Sequence, residues 1–178
     1  MRILLVGGSK SGKSMLAQRL IKSLADGAPM YYWAAMEPVD AEDGARVLRH
    51  REEREGWGFI TVERGRELSA QPLLPEAAVL FDSATALLAN EMFGALGFDS
   101  ASVERAEEEL LRLSETVRHF VCVCDDIQRD GMKYEALTEE YRRGLAHICR
   151  GLANEFDCVC EVSCGVPRVI KGELPRTE

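Results

Sequence analysis

The sequence has no apolar run that approaches the roughly 20 residues needed to cross a bilayer. It is also poor in positive charge: 22 Lys and Arg stand against 30 Asp and Glu, and the net charge is −8. Because polyanions would be repelled overall, these two absences argue against membrane insertion, a membrane-surface role and general nucleic-acid binding. Local basic patches can still bind small anions. The first residues enter a strand-like run without the features of a signal peptide, so we expect a cytoplasmic protein.

The cysteines lack the spacing of a metal site. All six lie between positions 122 and 164, and two pairs have the form Cys-x-Cys within apolar runs. Zinc sites instead use Cys-x-x-Cys knuckles at suitable separations. Cysteine in a buried strand behaves as a small hydrophobic residue, and disulfides are rare in the cytoplasm. We therefore expect reduced core cysteines, with a metal site as the minor alternative.

Short apolar runs alternate with amphipathic segments along the 178 residues. The predicted strands span residues 2–6, 30–35, 59–63, 78–82, 119–124, 158–163 and 167–170. The predicted helices carry stripes over residues 17–24, 103–117 and 134–152, and a charged helix over 40–56. This alternation predicts an α/β fold of the P-loop NTPase type (RecA-like), with a mostly parallel sheet flanked by helices. We expect one P-loop α/β domain over residues 1–170 and a polar, loose C-terminal tail over 171–178.

A phosphate-binding loop follows the first predicted strand. Gly7, Gly12, Lys13 and Ser14 match the Walker A pattern in full. Small residues let consecutive backbone N–H groups form an anion nest, and the following helix adds its positive N-terminal end. Lys13 is expected to reach the β- and γ-phosphates, and Ser14 to hold Mg²⁺. A chance match in a glycine-rich turn is the weaker alternative, since the strand before and the helix after the loop agree.

An acid ends the predicted strand at residues 78–82. A P-loop needs a second acid for its metal, and Asp82 is the Walker B candidate, because ligands bind at the carboxyl ends of parallel strands. The alternative is a strand-end acid or helix cap, given that Ser83 and Thr85 follow.

A histidine lies among arginines in the charged segment. Arg46, His50 and Arg54 share one face of a helix, and Arg49 and Arg51 flank the histidine. Neighbouring positive charge keeps an imidazole neutral and nucleophilic, and arginines can bind the phosphates that it attacks. The alternative is a solvated helix face on which nearby glutamates pair with the arginines. The pattern alone leaves both interpretations open.

Taken together, these motifs resemble the bifunctional adenosylcobinamide kinase/adenosylcobinamide-phosphate guanylyltransferase family of cobalamin biosynthesis. The family motifs are a GG-x-x-SGKS loop, a Tyr-x-Ala-Thr strand end, an Arg-Ile-x-x-His-Arg-x-x-Arg helix, a Trp-x-Thr-x-Glu strand and an acid-ending strand with a later Asn. Their counterparts here are residues 7–14, 32–35, 46–54, 59–63 and 79–82 with Asn90. The likeness covers nearly the whole chain. The loop is unspecific, but the histidine motif is quite specific.

The resemblance implies two reactions. A kinase step phosphorylates the aminopropanol arm of adenosylcobinamide with a nucleoside triphosphate. A transfer step then passes GMP from GTP to that phosphate through a covalent guanylyl-histidine, for which His50 is the matching residue. The implied cofactors are GTP, ATP and Mg²⁺, the substrates are adenosylcobinamide and its phosphate, and the implied assembly is a homotrimer.

The resemblance also implies a set of site residues. Those implied at GTP are Gly7, Gly8, Ser9, Lys10, Ser11, Gly12, Lys13, Ser14, Ala34, Ala35, Met36, Arg51, Glu52, Glu53, Arg54, Glu63 and Asp82. The predicted catalytic residues are His50 and Lys13, and the predicted metal ligands are Ser14 and Asp82.

The chain departs from the family pattern in several places. Phe59 replaces the Trp of Trp-x-Thr-x-Glu, and Ala35 replaces a threonine. The Asn-Glu-Val-Gly that follows the fifth strand in the family reads Asp-Asp-Ile-Gln at residues 125–128. The C-terminal half has diverged more than the N-terminal half. A P-loop small-molecule kinase without a covalent intermediate and a nucleotide-binding regulatory protein therefore remain as alternatives.

Overall fold

Seven strands and four α-helices make up the part of the chain that the computed structural model describes, residues 1–37, 55–94, 99 and 101–177. The strands are β1 (Arg2–Gly7), β2 (Met30–Ala34), β3 (Phe59–Glu63), β4 (Ala78–Asp82), β5 (His119–Asp125), β6 (Cys158–Ser163) and β7 (Val166–Lys171). The helices are α1 (Lys13–Ala25), α2 (Ala84–Phe93), α3 (Ser102–Thr116) and α4 (Ala136–Glu155), and a short 3-10 turn spans Leu68–Ala70. The predicted charged helix over residues 40–56 lies largely outside the described residues.

The strands form one sheet in the order β3-β2-β4-β5-β1-β6-β7. Every neighbouring pair is parallel except β6 and β7, which are antiparallel. Strand β5 therefore lies between β1, which leads into the glycine loop, and β4, which ends in Asp82. This arrangement confirms the predicted P-loop α/β fold with a mostly parallel sheet.

Each face of the sheet carries its own hydrophobic core. Helix α1 covers one face through Ala17, Leu20 and Ile21, which are fully buried. Helices α2, α3 and α4 cover the other face. Trp33 of β2 and Phe120 of β5 point into this second core and are also fully buried. Because both faces are covered, the central strands are apolar throughout, as expected for buried parallel strands.

Helix α2 is absent from the sequence-based prediction. Ser83 begins it as the N-cap, since its Oγ accepts a hydrogen bond from the Ala86 N–H at 3.2 Å. Apolar residues lie on all sides of this helix instead of in one 3.6-residue stripe, and the segment therefore gives a weak periodic signal. The stripe predicted from residue 134 was wrong at its start, because α4 begins at Ala136, and Tyr134 and Leu137 are exposed.

The C-terminal residues lie against the domain. Lys171 still belongs to β7, and Leu174 packs against the core on the α1 face. The Ser23 hydroxyl donates to the Arg176 carbonyl at 3.2 Å. The segment is therefore held at these two points, and the division of the chain into a domain over residues 1–170 and a tail over 171–178 stays a prediction.

The cysteines are free thiols, and most are buried. Cys122, Cys124, Cys158 and Cys160 are buried in β5 and β6, as expected for core cysteines, whereas Cys164 is exposed in the β6–β7 turn. Among the described residues, none of the helices is long and apolar enough to cross a membrane.

Candidate nucleotide site

The glycine loop connects β1 to α1 in a tight, braced turn. A Cβ atom on Gly7 would lie 2.3 Å from the Val162 carbonyl oxygen, so only glycine fits there. Gly12 has a left-handed φ of 96°, and a Cβ on it would lie 3.0 Å from the Cα of Gly165. The Gly165 N–H also donates to the Ser11 carbonyl at 2.8 Å. The β6–β7 turn therefore supports the loop from behind and fixes its shape.

Lys13 is held inside the loop. Its side chain is 5% exposed, and its ammonium donates to the Gly8 carbonyl at 2.7 Å. The same nitrogen lies 2.9 Å from Asp125 Oδ1. The Ser11 hydroxyl beside it is buried and has no hydrogen-bond partner among the described residues. A positive side chain, an unsatisfied hydroxyl and a helix N-terminus together form a site for a multiply charged anion such as a polyphosphate.

Ser14 and Asp82 come together at the start of α1. The Ser14 hydroxyl donates to Asp82 Oδ2 at 3.1 Å, and the Tyr32 hydroxyl donates to the same oxygen at 2.7 Å. Because a hydroxyl and a carboxylate in contact can ligate one small cation, these oxygens fit the predicted Mg²⁺ site. The helix-cap alternative for Asp82 is wrong, because Ser83 caps α2.

The other predicted nucleotide contacts lie at the carboxyl ends of β2 and β3, where Ala34 pairs with Glu63. Ala35 is fully buried, and its carbonyl accepts a hydrogen bond from Asn90 Nδ2 at 2.6 Å. Met36 and Glu63 instead line a cavity of about 400 Å³. The remaining lining residues are Glu37, Arg64, Gly65, Arg66 and Glu67. These residues carry no motif, and only their position shortly after the ends of β2 and β3 gives a signal in the sequence.

The histidine motif is not part of the described structure. His50 and the predicted nucleotide contacts Arg51, Glu52, Glu53 and Arg54 lie outside the described residues. Their roles stay predictions.

Asp125 lies beside the loop but belongs to none of the motifs that predicted the site. It pairs with Gly7 across β1 and β5, and its N–H donates to the Thr85 hydroxyl at 2.8 Å. The Thr85 carbonyl accepts a hydrogen bond from the Tyr141 hydroxyl at 2.8 Å, and burial raises the pKa of Tyr141 well above its usual value. The signal for Asp125 was its place at the carboxyl end of a strand beside the loop strand, where ligands bind.

Comparison with known proteins gives consistent matches. The model of the family described as cobinamide kinase / cobinamide phosphate guanyltransferase matches residues 3–170. A bifunctional adenosylcobalamin biosynthesis protein of Escherichia coli is 31% identical over 166 residues, which cover 88% of this chain and 83% of that protein. One of Pseudomonas aeruginosa is 30% identical over 178 residues, covering 97% of this chain and 99% of that protein.

Among solved structures, the flagellar accessory protein FlaH from Methanocaldococcus jannaschii matches with a TM-score of 0.49 and 14% identity, covering 97% of this chain and 78% of that chain. The family match carries the assignment, because it spans almost all of the chain that contains the loop and Asp82. The chain belongs to the cobinamide kinase / cobinamide phosphate guanyltransferase family of transferases, as its sequence motifs predicted.

Proposed function

We propose that this protein phosphorylates adenosylcobinamide and then transfers GMP from GTP to adenosylcobinamide phosphate, giving adenosylcobinamide-GDP in cobalamin biosynthesis. The observation that carries the proposal is the contact between Ser14 and Asp82 beside a buried Lys13, in a chain whose relatives are named for adenosylcobalamin biosynthesis. It is the arrangement that a triphosphate and its metal need.

The phosphate loop is proposed to bind the triphosphate of GTP or ATP. Backbone N–H groups of the loop and the N-terminus of α1 face the phosphates, and the Lys13 ammonium neutralises the charge on the β- and γ-phosphates. Ser14 and Asp82 would hold Mg²⁺, which supplies charge stabilisation at the phosphates when bound. In the kinase step these groups hold the γ-phosphate in line with the substrate hydroxyl.

The cavity beside β3 is proposed to contribute to nucleoside binding. Its volume of about 400 Å³ lies within the range of small-molecule pockets, roughly 300–1,000 Å³. Glu63 lies at its edge, and a carboxylate accepts the hydrogen bonds that guanine offers through its N1–H and amino groups. Arg64 and Arg66 line the same cavity, where Arg66 pairs with Glu37 at 3.6 Å.

His50 is proposed as the nucleophile of the transfer step. An imidazole nitrogen attacks the α-phosphorus of GTP, the bond to the β-phosphate oxygen breaks, and pyrophosphate leaves. The resulting phosphoramidate is then attacked by a phosphate oxygen of adenosylcobinamide phosphate, which releases the imidazole. The proposal rests on the arginines around this histidine in the sequence, which suit an attack on phosphate.

Labelling with GTP that carries ³²P at the α-phosphate tests this step. We expect protein-bound label that is acid-labile and alkali-stable, and that His50→Ala abolishes. His147→Ala is the matched control, because His147 is exposed and pairs with Glu107 at 3.0 Å on the surface of α4. Absence of label on the wild type, or undiminished label on His50→Ala, contradicts the nucleophile role.

A small-molecule kinase without the covalent step is the second candidate. The contact between Ser14 and Asp82 favours it, because γ-phosphate transfer needs the loop and its metal but no histidine. It predicts transfer of label from γ-³²P nucleotide to cobinamide with no protein adduct. Running the assay with ATP and GTP in parallel also identifies the phosphate donor.

We also propose a cytoplasmic homotrimer. Strand β7 lies at the edge of the sheet and exposes Val166, Val169 and Ile170, at 67%, 44% and 57%. An exposed apolar edge strand favours pairing with another chain. Light scattering coupled to gel filtration tests the assembly, and a monomer at micromolar concentration contradicts it.

A further inference from the structure

The Lys13 ammonium has two partners within the protein. It lies 2.9 Å from Asp125 Oδ1 and donates to the Gly8 carbonyl at 2.7 Å, and its side chain is only 5% exposed. An ammonium has three donors, and two of them are used by these contacts. A phosphate that binds Lys13 must therefore share the ammonium with Asp125 or displace it.

The backbone of Asp125 is anchored beside the loop. Its N–H donates to the Thr85 hydroxyl at 2.8 Å, and the next N–H, of Asp126, donates to the Gly7 carbonyl at 2.9 Å. The start of the Asp125 side chain is therefore held next to the loop, and its carboxylate reaches Lys13 at 2.9 Å. This contact places the carboxylate near the β- and γ-phosphates of a nucleotide bound at the loop, because the P-loop lysine binds those phosphates.

This placement affects metal-free nucleotides more than metal-bound ones. A carboxylate repels phosphate oxygens, and the repulsion grows with the net charge of the ligand. A metal-free triphosphate carries about four negative charges and its Mg²⁺ complex about two. Asp125, which pairs with Lys13, therefore disfavours the metal-free form more strongly.

We propose that Asp125 is a positioning and specificity-determining residue: it positions the Lys13 ammonium in the loop, and its charge selects the Mg²⁺-bound nucleotide over the metal-free nucleotide. The proposal rests on the proposed nucleotide binding at this loop, but not on GMP transfer. It assigns Asp125 no contact with the reacting atoms.

Calorimetric titration with GTP tests it, using Asp125→Asn, which keeps the shape and removes the charge. At constant ionic strength, we expect about tenfold tighter binding than wild type in EDTA and about threefold tighter binding with Mg²⁺. The preference for the Mg²⁺ complex should therefore fall about threefold. Without nucleotide, the variant should unfold at a lower temperature, because buried Lys13 loses its counter-ion.

The combination of weaker folding and tighter binding separates this role from a structural one, because a merely structural loss weakens both. Asp126→Asn is the matched control: Asp126 pairs with Arg129 at 2.9 Å, and its substitution should leave both dissociation constants within about twofold. Asp125→Glu keeps the charge and should keep the wild-type preference for the Mg²⁺ complex, so it tests the proposal if Asp125→Asn does not fold.

Unchanged or weaker binding of metal-free GTP by Asp125→Asn overturns the proposal, as does a lost Mg²⁺ preference in Asp125→Glu. If the wild type binds no GTP under either condition, the proposed function and this proposal both fail. If it binds GTP and Asp125→Asn does not alter the Mg²⁺ preference, only this proposal fails.

Discussion

Replacing Gly7 by alanine should destabilise the protein through a single steric contact. The new Cβ would lie 2.3 Å from the Val162 carbonyl oxygen and 2.9 Å from the Ser11 hydroxyl, which is closer than real Cβ atoms approach. The carbonyl belongs to β6, which pairs with β1 from Ile3 to Val6. Relief therefore requires β1 and β6 to separate at their carboxyl ends, where β1 enters the phosphate loop.

Overpacking of this kind costs roughly 1–3 kcal/mol. In a chain of this size each kcal/mol lowers the melting temperature by about 2–4 °C, so we expect a decrease of roughly 2–12 °C for Gly7→Ala. Circular dichroism melts without nucleotide measure it. The strain also reaches the loop, so GTP binding should weaken with the loss of stability.

Gly8→Ala provides the matched control. A Cβ on Gly8 meets nothing within 4 Å, and Gly8 is not among the residues with positive φ. The change should stay within about ±0.5 kcal/mol, which corresponds to about 2 °C or less. Equal melting temperatures for Gly7→Ala and wild type would refute the steric reasoning, and so would an equal loss in Gly8→Ala.

Three further predictions concern residues around the site. Asn90 Nδ2 donates to the carbonyls of Ala35 and Gly65 at 2.6 and 3.1 Å and so connects the segments that follow β2 and β3. Asn90→Ala should lower the free energy of unfolding in urea by about 1–3 kcal/mol. An unchanged urea midpoint contradicts this role of Asn90. Cys164 is exposed, whereas the other cysteines are buried or partly buried. A chromogenic disulfide reagent should therefore modify one thiol rapidly in the native protein and none in Cys164→Ser. Rapid modification of the variant refutes this assignment of the reactive thiol. Burial raises the pKa of the Tyr141 hydroxyl in the folded state, so the contribution of this hydroxyl to stability is present below pH ~10 and is lost as the pH rises. The free energy of unfolding of Tyr141→Phe should therefore fall less between pH 9 and 11 than that of the wild type. Equal decreases in the two proteins contradict this prediction.

The buried strands could be predicted almost to the residue. Strands β4 and β6 have the predicted ends, because apolar runs of five or six residues bounded by polar or turn residues have few other solutions. Strand β3 also has its predicted ends, although it lies at the edge of the sheet and is only partly buried. The loop between β1 and α1 could be predicted for a different reason: its glycines are required by contacts and by a left-handed φ at Gly12. Local chemistry determines both features.

Features that depend on the neighbouring element could not be predicted. The apolar segment of α2 has the composition of a buried strand or a buried helix, and its contacts with α3 and α4 decide between them. Asp125 could be recognised in the sequence only as an acid at the end of a predicted strand that differs from the family pattern. Its contact with Lys13 depends on the sheet order, which places β5 beside β1, and no local signal in the sequence specifies that order.

The charged groups of the phosphate loop pair with one another, and a bound nucleotide must take over some of these contacts. Lys13 has Asp125 and the Gly8 carbonyl, and the Ser14 hydroxyl has Asp82. A triphosphate with its metal therefore exchanges these partners, since Lys13 gains phosphate oxygens while Asp82 and Ser14 turn to the cation. Because the phosphates add negative charge beside Asp125 and a cation bound at Asp82 offsets that charge, nucleotide affinity at this loop should depend on Mg²⁺ more steeply than the Ser14–Asp82 pair alone would require.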